Sequence, residues 1–293
     1  MDGVIIRRLG AGDAGGLEAF LRAHIETSMF MLSNARAAGF EDEGRRLEAT
    51  YVGALIGDRV VAAAALAWNG MMMVQAPQGH LGAVAREAWR LSGRALTGIS
   101  GAGEQVAGVR QELGLEARPT RIAGEELLFA LDLSALVMPE ALSSGRGRVR
   151  RAEVADLEAL SRWRVAYQVE TLGEREVPAV RSSAREGVEA GIARGQLWVL
   201  EHEGEVVAMS AFNAALPECV QIGGVYTPPG LRGRGFGRAV VAGSLVEASG
   251  EGVTRSVLFT GRENVAAQAA YRALGYEERG VFGLVLFEEE VWV

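Results

Sequence analysis

The chain has 293 residues, 30 of them basic and 37 acidic, for a formal net charge of −7 at neutral pH, and 49% of it is hydrophobic. That length allows two α/β domains, each with its own core. The acidic balance excludes a general affinity for nucleic acid or anionic lipid, and the apolar residues fall in short runs broken by Arg, Glu or Asp, so no window supports a membrane span.

Cys219 is the one cysteine, which excludes an intramolecular disulfide, and the three histidines stand in no carboxylate or thiol cluster, so no metal site is expected. Met-Asp-Gly-Val-Ile-Ile-Arg-Arg at the start lacks the charge pattern and apolar run of a signal peptide, and the expected compartment is the cytoplasm.

Val4–Arg7 reads as a first strand, and helical text follows from Asp13, a candidate N-cap, to about Ala37. Thr50–Ile56 and Arg59–Trp68 flank Gly57-Asp58, a two-residue hairpin signal. Met71–Gln75 follows as a strand, Leu81–Leu91 as a helix, Leu96–Ile99 as a strand, Glu104–Leu113 as a helix and Leu127–Leu133 as a closing strand. The order β-α-β-β-β-α-β-α-β predicts a mixed, three-layer α/β fold.

Residues 139–147 have linker composition, and after them the pattern starts again. Arg150, Asp156 and Leu160 repeat Arg7, Asp13 and Leu17 at an offset of 143, and the valines of Glu203-Gly204-Glu205-Val206-Val207 repeat those of Gly57-Asp58-Arg59-Val60-Val61 at 146. Leu274-Gly275-Tyr276 answers Leu113-Gly114-Leu115 at 161. Ordered anchors with slowly growing offsets predict a duplicated domain, with a first copy at 1–138, a linker at 139–147 and a second copy at 148–293.

The chemistry concentrates in the second copy. Val220–Tyr226 is a buried-strand pattern ended by Pro228-Pro229, and helical text follows from Ala239 to Ala248. Between them stand Arg232-Gly233-Arg234-Gly235-Phe236-Gly237-Arg238. A glycine-rich turn at a helix N-terminus presents unpaired N–H groups and positive charge to an anion, and arginines add to it. The spacing is neither a dinucleotide fingerprint nor a P-loop, and the chain has no lysine. In the first copy, Ala76-Pro77-Gln78-Gly79-His80 has no such spacing, and Gly98, Gly101 and Gly103 read as loop glycines.

Arg255–Thr260 is a further strand, followed by a helix closed by Gly275 on which Asn264, Ala267, Gln268 and Tyr271 share a face. Taken alone, that face suits core packing as well as ligand contact. At the 161 offset, Gly103 and Arg110 stand opposite Asn264 and Tyr271.

Strand–Arg232-x-x-Gly235-x-Gly237–helix, followed by Asn264-x-x-Ala267-x-x-x-Tyr271-x-x-Leu274-Gly275-Tyr276, resembles the two cofactor motifs of the GNAT superfamily of N-acetyltransferases. The resemblance covers Arg148–Phe287 directly and the first half through the repeat. It implies two tandem GNAT-like domains, each a mixed, mainly antiparallel sheet flanked by helices, with a degenerate N-terminal copy. It also implies acetyl-CoA as cofactor and a small-molecule amine as acceptor, attacked directly without a covalent enzyme intermediate. By that resemblance Val225, Tyr226, Thr227, Arg232, Gly233, Arg234, Gly235, Phe236, Gly237, Arg238, Asn264, Ala267 and Tyr271 bind the cofactor.

The departing thiolate needs a proton, and the Tyr271 phenol is the candidate donor. For the base, Glu218 and Glu170 are the candidates, and Glu170 is expected to face the acceptor and to bind or deprotonate its ammonium; it shares an α-helical face with Trp163 and Tyr167, a pattern that equally suits packing. An acyl-CoA-binding sensor or assembly subunit without turnover is the alternative function.

Overall fold

The computed structural model describes residues 3–292. They divide into two compact units: the chain up to Leu128 together with the segment from Gly280 onward, and Phe129–Arg279.

The first unit holds β1 (Ile5–Arg8), α1 (Ala14–Arg22), α2 (Ile25–Ala38), β2 (Ala49–Ile56), β3 (Arg59–Ala67), β4 (Met71–Gln75), α3 (Leu81–Ser92), β5 (Leu96–Ala102), α4 (Gly103–Glu112) and the start of β6 (Thr120–Asp132). The single helix expected from Asp13 is two, broken at Ala23-His24. Hydroxyls mend the break: Ser28 Oγ donates to the carbonyls of Leu21 (2.7 Å) and His24 (2.8 Å). β6 starts seven residues before the expected Leu127, in a stretch of alternating half-buried and exposed side chains.

The second unit continues with α5 (Glu140–Ser143), β7 (Gly147–Arg151), α6 (Leu157–Leu172), α7 (Pro178–Ala193), β8 (Leu197–His202), β9 (Glu205–Ala215), β10 (Cys219–Tyr226), α8 (Phe236–Gly250), β11 (Arg255–Gly261) and α9 (Val265–Arg272). The last strand, β12 (Glu277–Val291), was not anticipated, and it moves the boundary drawn at 139–147. Its residues Phe282–Leu286 pair antiparallel with β5, and Val285, Phe287 and Val291 enter the same core as Val52, Leu66 and Trp89. Residues from 280 onward therefore complete the first unit, while 129–138 belong to the second.

Within the first unit the strands run in the order β1-β2-β3-β4-β5-β12-β6; within the second, the end of β6 is followed by β11-β10-β9-β8-β7. In each unit one central pair is parallel, β4 with β5 and β10 with β11, beside antiparallel hairpins.

The repeat is visible bond by bond. Arg7 grips Asp13 through Nη2 at 2.7 Å and Gly10 N–H donates to Asp13 Oδ2 at 2.9 Å; Arg150 grips Asp156 at 2.7 and 2.9 Å, and Glu153 N–H donates to Asp156 Oδ2 at 2.8 Å. Gly57-Asp58 and Glu203-Gly204 each turn a hairpin, between β2 and β3 and between β8 and β9. After α4, Leu115 N–H reaches back to Arg110 O (2.7 Å), and after α9 Tyr276 N–H reaches back to Tyr271 O (3.1 Å), each around a positive-φ glycine.

Arg7 holds Asp13 at a pKa of about 2, and Arg150 holds Asp156 below the ordinary carboxylate range. Lowered folded-state values mean that this stabilisation is complete above about pH 4, the unfolded value, and is lost as pH falls through the folded one. Asp156→Asn is expected to cost about 1–3 kcal/mol at neutral pH, measured by urea unfolding, and to flatten the acid limb of stability.

Candidate active site

The defining feature of the second unit is a parting of its two parallel strands. β10 and β11 pair only at Cys219↔Arg255, Val220↔Ser256 and Gln221↔Val257, although β10 continues to Tyr226 and β11 to Gly261. On its other edge β10 stays paired to β9, with register shifts between Gln221 and Ile222 and between Gly223 and Tyr226. The second shift is a bulge whose Gly224 has φ +59°. Beyond Gln221, backbone groups on the β11 side of β10 have lost their strand partner, so an extended amide-bearing ligand can hydrogen-bond there.

The parted strands lead into the glycine-rich turn. Gly233 and Gly235 have φ +77° and +78°, and Gly235 is the residue on which α8 begins. A side chain on Gly235 would strain the turn. At Gly237 φ is ordinary, and an added Cβ would lie 3.5 Å from Thr227 Oγ1 and 3.7 Å from Val225 Cγ1, an ordinary contact. Glycine there leaves room beside the first N–H groups of α8. Arg238 is half-buried, with its Nε unpartnered, as expected of a cation placed for an anion not of this chain. Phe236 is buried beneath the turn, and the Arg234 guanidinium lies 5.2 Å from its ring centre.

Arg232 has a different role from its neighbours. Its Nε donates to Thr227 O at 3.0 Å and its Nη2 to Glu170 Oε2 at 2.6 Å, while Tyr226 Oη donates to Glu170 Oε1 at 3.0 Å. The guanidinium also sits 5.5 Å from the Tyr226 ring centre. Arg232 therefore staples the turn to α6. Its hydrogen bonds, with that from Tyr226, hold Glu170 below the usual carboxylate range. Both oxygens of Glu170 are thus engaged, and a lowered pKa makes it a weak base. Glu218, the other candidate, lies at the opposite end of β10, roughly 20 Å of strand from Val225. Trp163 and Tyr167 pack against the cluster of Leu160, Met209 and Tyr226.

α9 supplies the second wall. Asn264 is its N-cap, Oδ1 accepting from Ala267 N–H at 3.1 Å. Gln268 Nε2 donates to the carbonyls of Gly261 (3.1 Å) and Arg262 (2.8 Å), tying the end of β11 to the helix. Tyr271 is buried against Phe129 and Tyr276, and burial pushes its phenol pKa up. Cys219 is fully buried.

Three residues here were missed by sequence reasoning. Arg164 of α6 lies over Gly224, its Nη1 2.9 Å from where a Cβ would sit, and the Asn213 amide covers Gly223 so closely that a Cβ there would collide with it. Gln221, where the strands part, is 2% exposed with its Oε1 unpartnered. None belongs to a spacing motif, and only the parting of the strands gives them meaning.

The first unit lacks this opening. β4 and β5 stay paired through Met71↔Gly98, Met72↔Ile99, Met73↔Ser100 and Val74↔Gly101, and β3 pairs β4 without a register shift. A residue with a side chain, His80, takes the left-handed cap position before α3. Among the described residues no cluster of His, Cys, Asp or Glu is suited to a metal ion, and no helix is long and apolar enough to cross a membrane.

Residues 157–276 match the Acetyltransferase (GNAT) family. In fold, the chain is similar to a Drosophila protein (TM-score 0.66, 14% identity, 97% of this chain and 99% of that one). It is also similar to a GCN5-related N-acetyltransferase from Sphaerobacter thermophilus (TM-score 0.57, 14% identity, 99% and 96%). A third likeness is to a tandem GNAT protein from the clavulanic acid biosynthesis pathway (TM-score 0.56, 15% identity, 98% of each chain). No curated protein sequence matches.

The cap of α9 gives a direct check on this wall. Asn264→Ala removes the hydrogen bond to Ala267 N–H and is expected to cost about 1 kcal/mol of stability in chemical denaturation, whereas Asn264→Ser retains most of it.

Proposed function

We propose, from the premise that residues 157–276 are a GNAT acetyltransferase domain, that the second unit moves an acetyl group from acetyl-CoA to a primary amine of a small molecule, and that the first unit binds no cofactor. The observation that carries this reading is the parted, bulged β10 leading into the glycine-rich turn, in one unit and not the other.

The residues present suit the cofactor. N–H groups of Gly233–Arg238 at the start of α8 take the pyrophosphate, assisted by Arg234 and Arg238, and Arg232 holds the turn in shape. The free edge of β10 from Ile222 to Tyr226 offers backbone partners for the pantetheine amides, with Thr227 at its end. Ala267 and the Asn264 cap border the same path from α9. Bound acetyl-CoA supplies a thioester carbonyl open to an unprotonated amine. Val225 N–H, next to the bulge, polarises that carbonyl. Tyr271, kept protonated through neutral pH by burial, holds a proton at Oη for the departing thiolate. Glu170 is a positioning residue that fixes Arg232 and Tyr226. The acceptor loses its proton to water.

The engagement of Glu170 also favours a second reading, acyl-CoA binding without turnover, since no free carboxylate base stands at the turn. Release of free CoA from acetyl-CoA on adding an amine panel separates the two readings.

Calorimetry with acetyl-CoA is expected to give one site per chain, and a stoichiometry of two would return the first unit to the list of binders. A Cβ at 237 makes only ordinary contacts, so Gly237→Ala should leave thermal stability little changed, while Gly237→Val should weaken acetyl-CoA binding tenfold or more, about 1.4 kcal/mol. Tyr271→Phe is expected to lower turnover by about a hundredfold or more while changing the acetyl-CoA dissociation constant only a few-fold. Activity near wild type would leave Tyr271 a packing residue.

A further inference from the structure

One charged side chain over the bulge that the cofactor reading leaves unused is Arg164. Its Nη1 reaches over Gly224, next to Val225, and its guanidinium carbon lies 5.3 Å from the Tyr167 ring centre. It is half-buried and makes no ion pair among the described residues. Glu170, the acid further along α6, is held by Arg232 and Tyr226. Stacking on Tyr167 accounts for the orientation of the Arg164 plane but leaves its charge unanswered. A half-buried cation without a counter-ion costs desolvation energy that an arriving anion recovers. The Asn213 amide, lying across Gly223, adds a hydrogen-bonding group to the same short stretch of β10.

Resting on the acetyl-transfer reading, we propose that the acceptor is an amine that also carries a carboxylate, and that Arg164 binds this carboxylate and so places the amine beside Val225. The planar fork of an arginine matches a carboxylate, and one guanidinium matches its single charge, whereas a phosphate dianion calls for further cations. A polyamine is disfavoured at the same place, because the charge facing it is positive.

Matched acceptor pairs test this: amino acids, β-alanine and γ-aminobutyrate against their amides, with phosphoethanolamine as the phosphate arm. With acetyl-CoA saturating, the wild-type protein should favour the carboxylate member at least tenfold in kcat/KM. In Arg164→Gln that ratio should fall to within about threefold of one, mainly through KM, while Arg164→Lys keeps part of it. Acetyl-CoA binding by calorimetry should be unchanged in both variants, which also shows that they fold.

The inference is overturned if no carboxylate-bearing amine is acetylated, if amides or phosphoethanolamine are preferred, or if the preference survives in Arg164→Gln. It is equally overturned if that variant loses acetyl-CoA binding, which would assign Arg164 to the cofactor. Failure of the wild-type protein to bind acetyl-CoA removes the acetyl-transfer reading itself, a result readable before any acceptor is added.

Discussion

A strand that loses its neighbour halfway along is the constraint on which the second unit depends. β10 is paired to β11 as far as Gln221 and then departs from it, and the bulge at Gly224 turns the chain while its other edge remains on β9. Unpaired strand edges are costly unless something pairs with them, and on the proposed reading the amides of the cofactor do so. Glycine at 224 is favoured by its positive φ, and Arg164 Nη1 lies 2.9 Å from where a Cβ would be. On the proposed reading the parted strands, the turn and α9 then act together, the turn taking the anion and the free edge of β10 the rest of the ligand.

Charge within this device is divided by geometry rather than by residue type. Arg232, Arg234 and Arg238 stand within seven residues, yet Arg232 is committed to Glu170 and Thr227, while Arg238 keeps an unpartnered Nε. The Glu170–Arg232–Tyr226 cluster joins α6, the end of β10 and the turn. It ties together two residues that the sequence offers separately, a carboxylate on α6 and an arginine of the turn. Both Glu170 and Arg232 are partly exposed, so the energetic worth of the pair is modest and its value is orientational. The acidic chain thus presents net positive charge where an anion is needed, and nowhere does that require a lysine.

Much of this was legible beforehand, and the exceptions have physical reasons. The hairpin at Gly57-Asp58, strand Met71–Gln75 and the turn at 232–238 follow from local chemistry, alternation and glycine placement, and they stand where expected. β12 was missed because its ends are acidic, Glu277-Glu278 and Glu288-Glu289-Glu290, and only its middle has strand composition. Its assignment to the first unit depends on pairing with β5, a contact nearly two hundred residues away in sequence. The parting of β10 from β11 is not legible in the residues of either strand, because it is a relation between two elements. The engagement of Glu170 was not anticipated, because helical spacing shows which side chains share a face and not which partner arrives from another element.

The two halves show what a duplicated domain keeps and what it gives up. The arginine–aspartate grip at the start of each unit, the two-residue hairpin and the glycine-closed helix are present twice, with matching hydrogen bonds. All three set backbone course, and losing any would cost stability directly. The features found in the second unit alone are a central parallel pair that parts and a bulge on its β10 strand at Gly224, and these give up ladder hydrogen bonds. In the first unit the corresponding strands close up, Val74 pairs with Gly101, and the left-handed cap falls to His80. On the proposed reading, in which only the second unit holds a ligand, the first loses nothing by keeping its sheet shut, since each ladder bond favours the closed form. The asymmetry between the units then follows from keeping one fold twice and one site once.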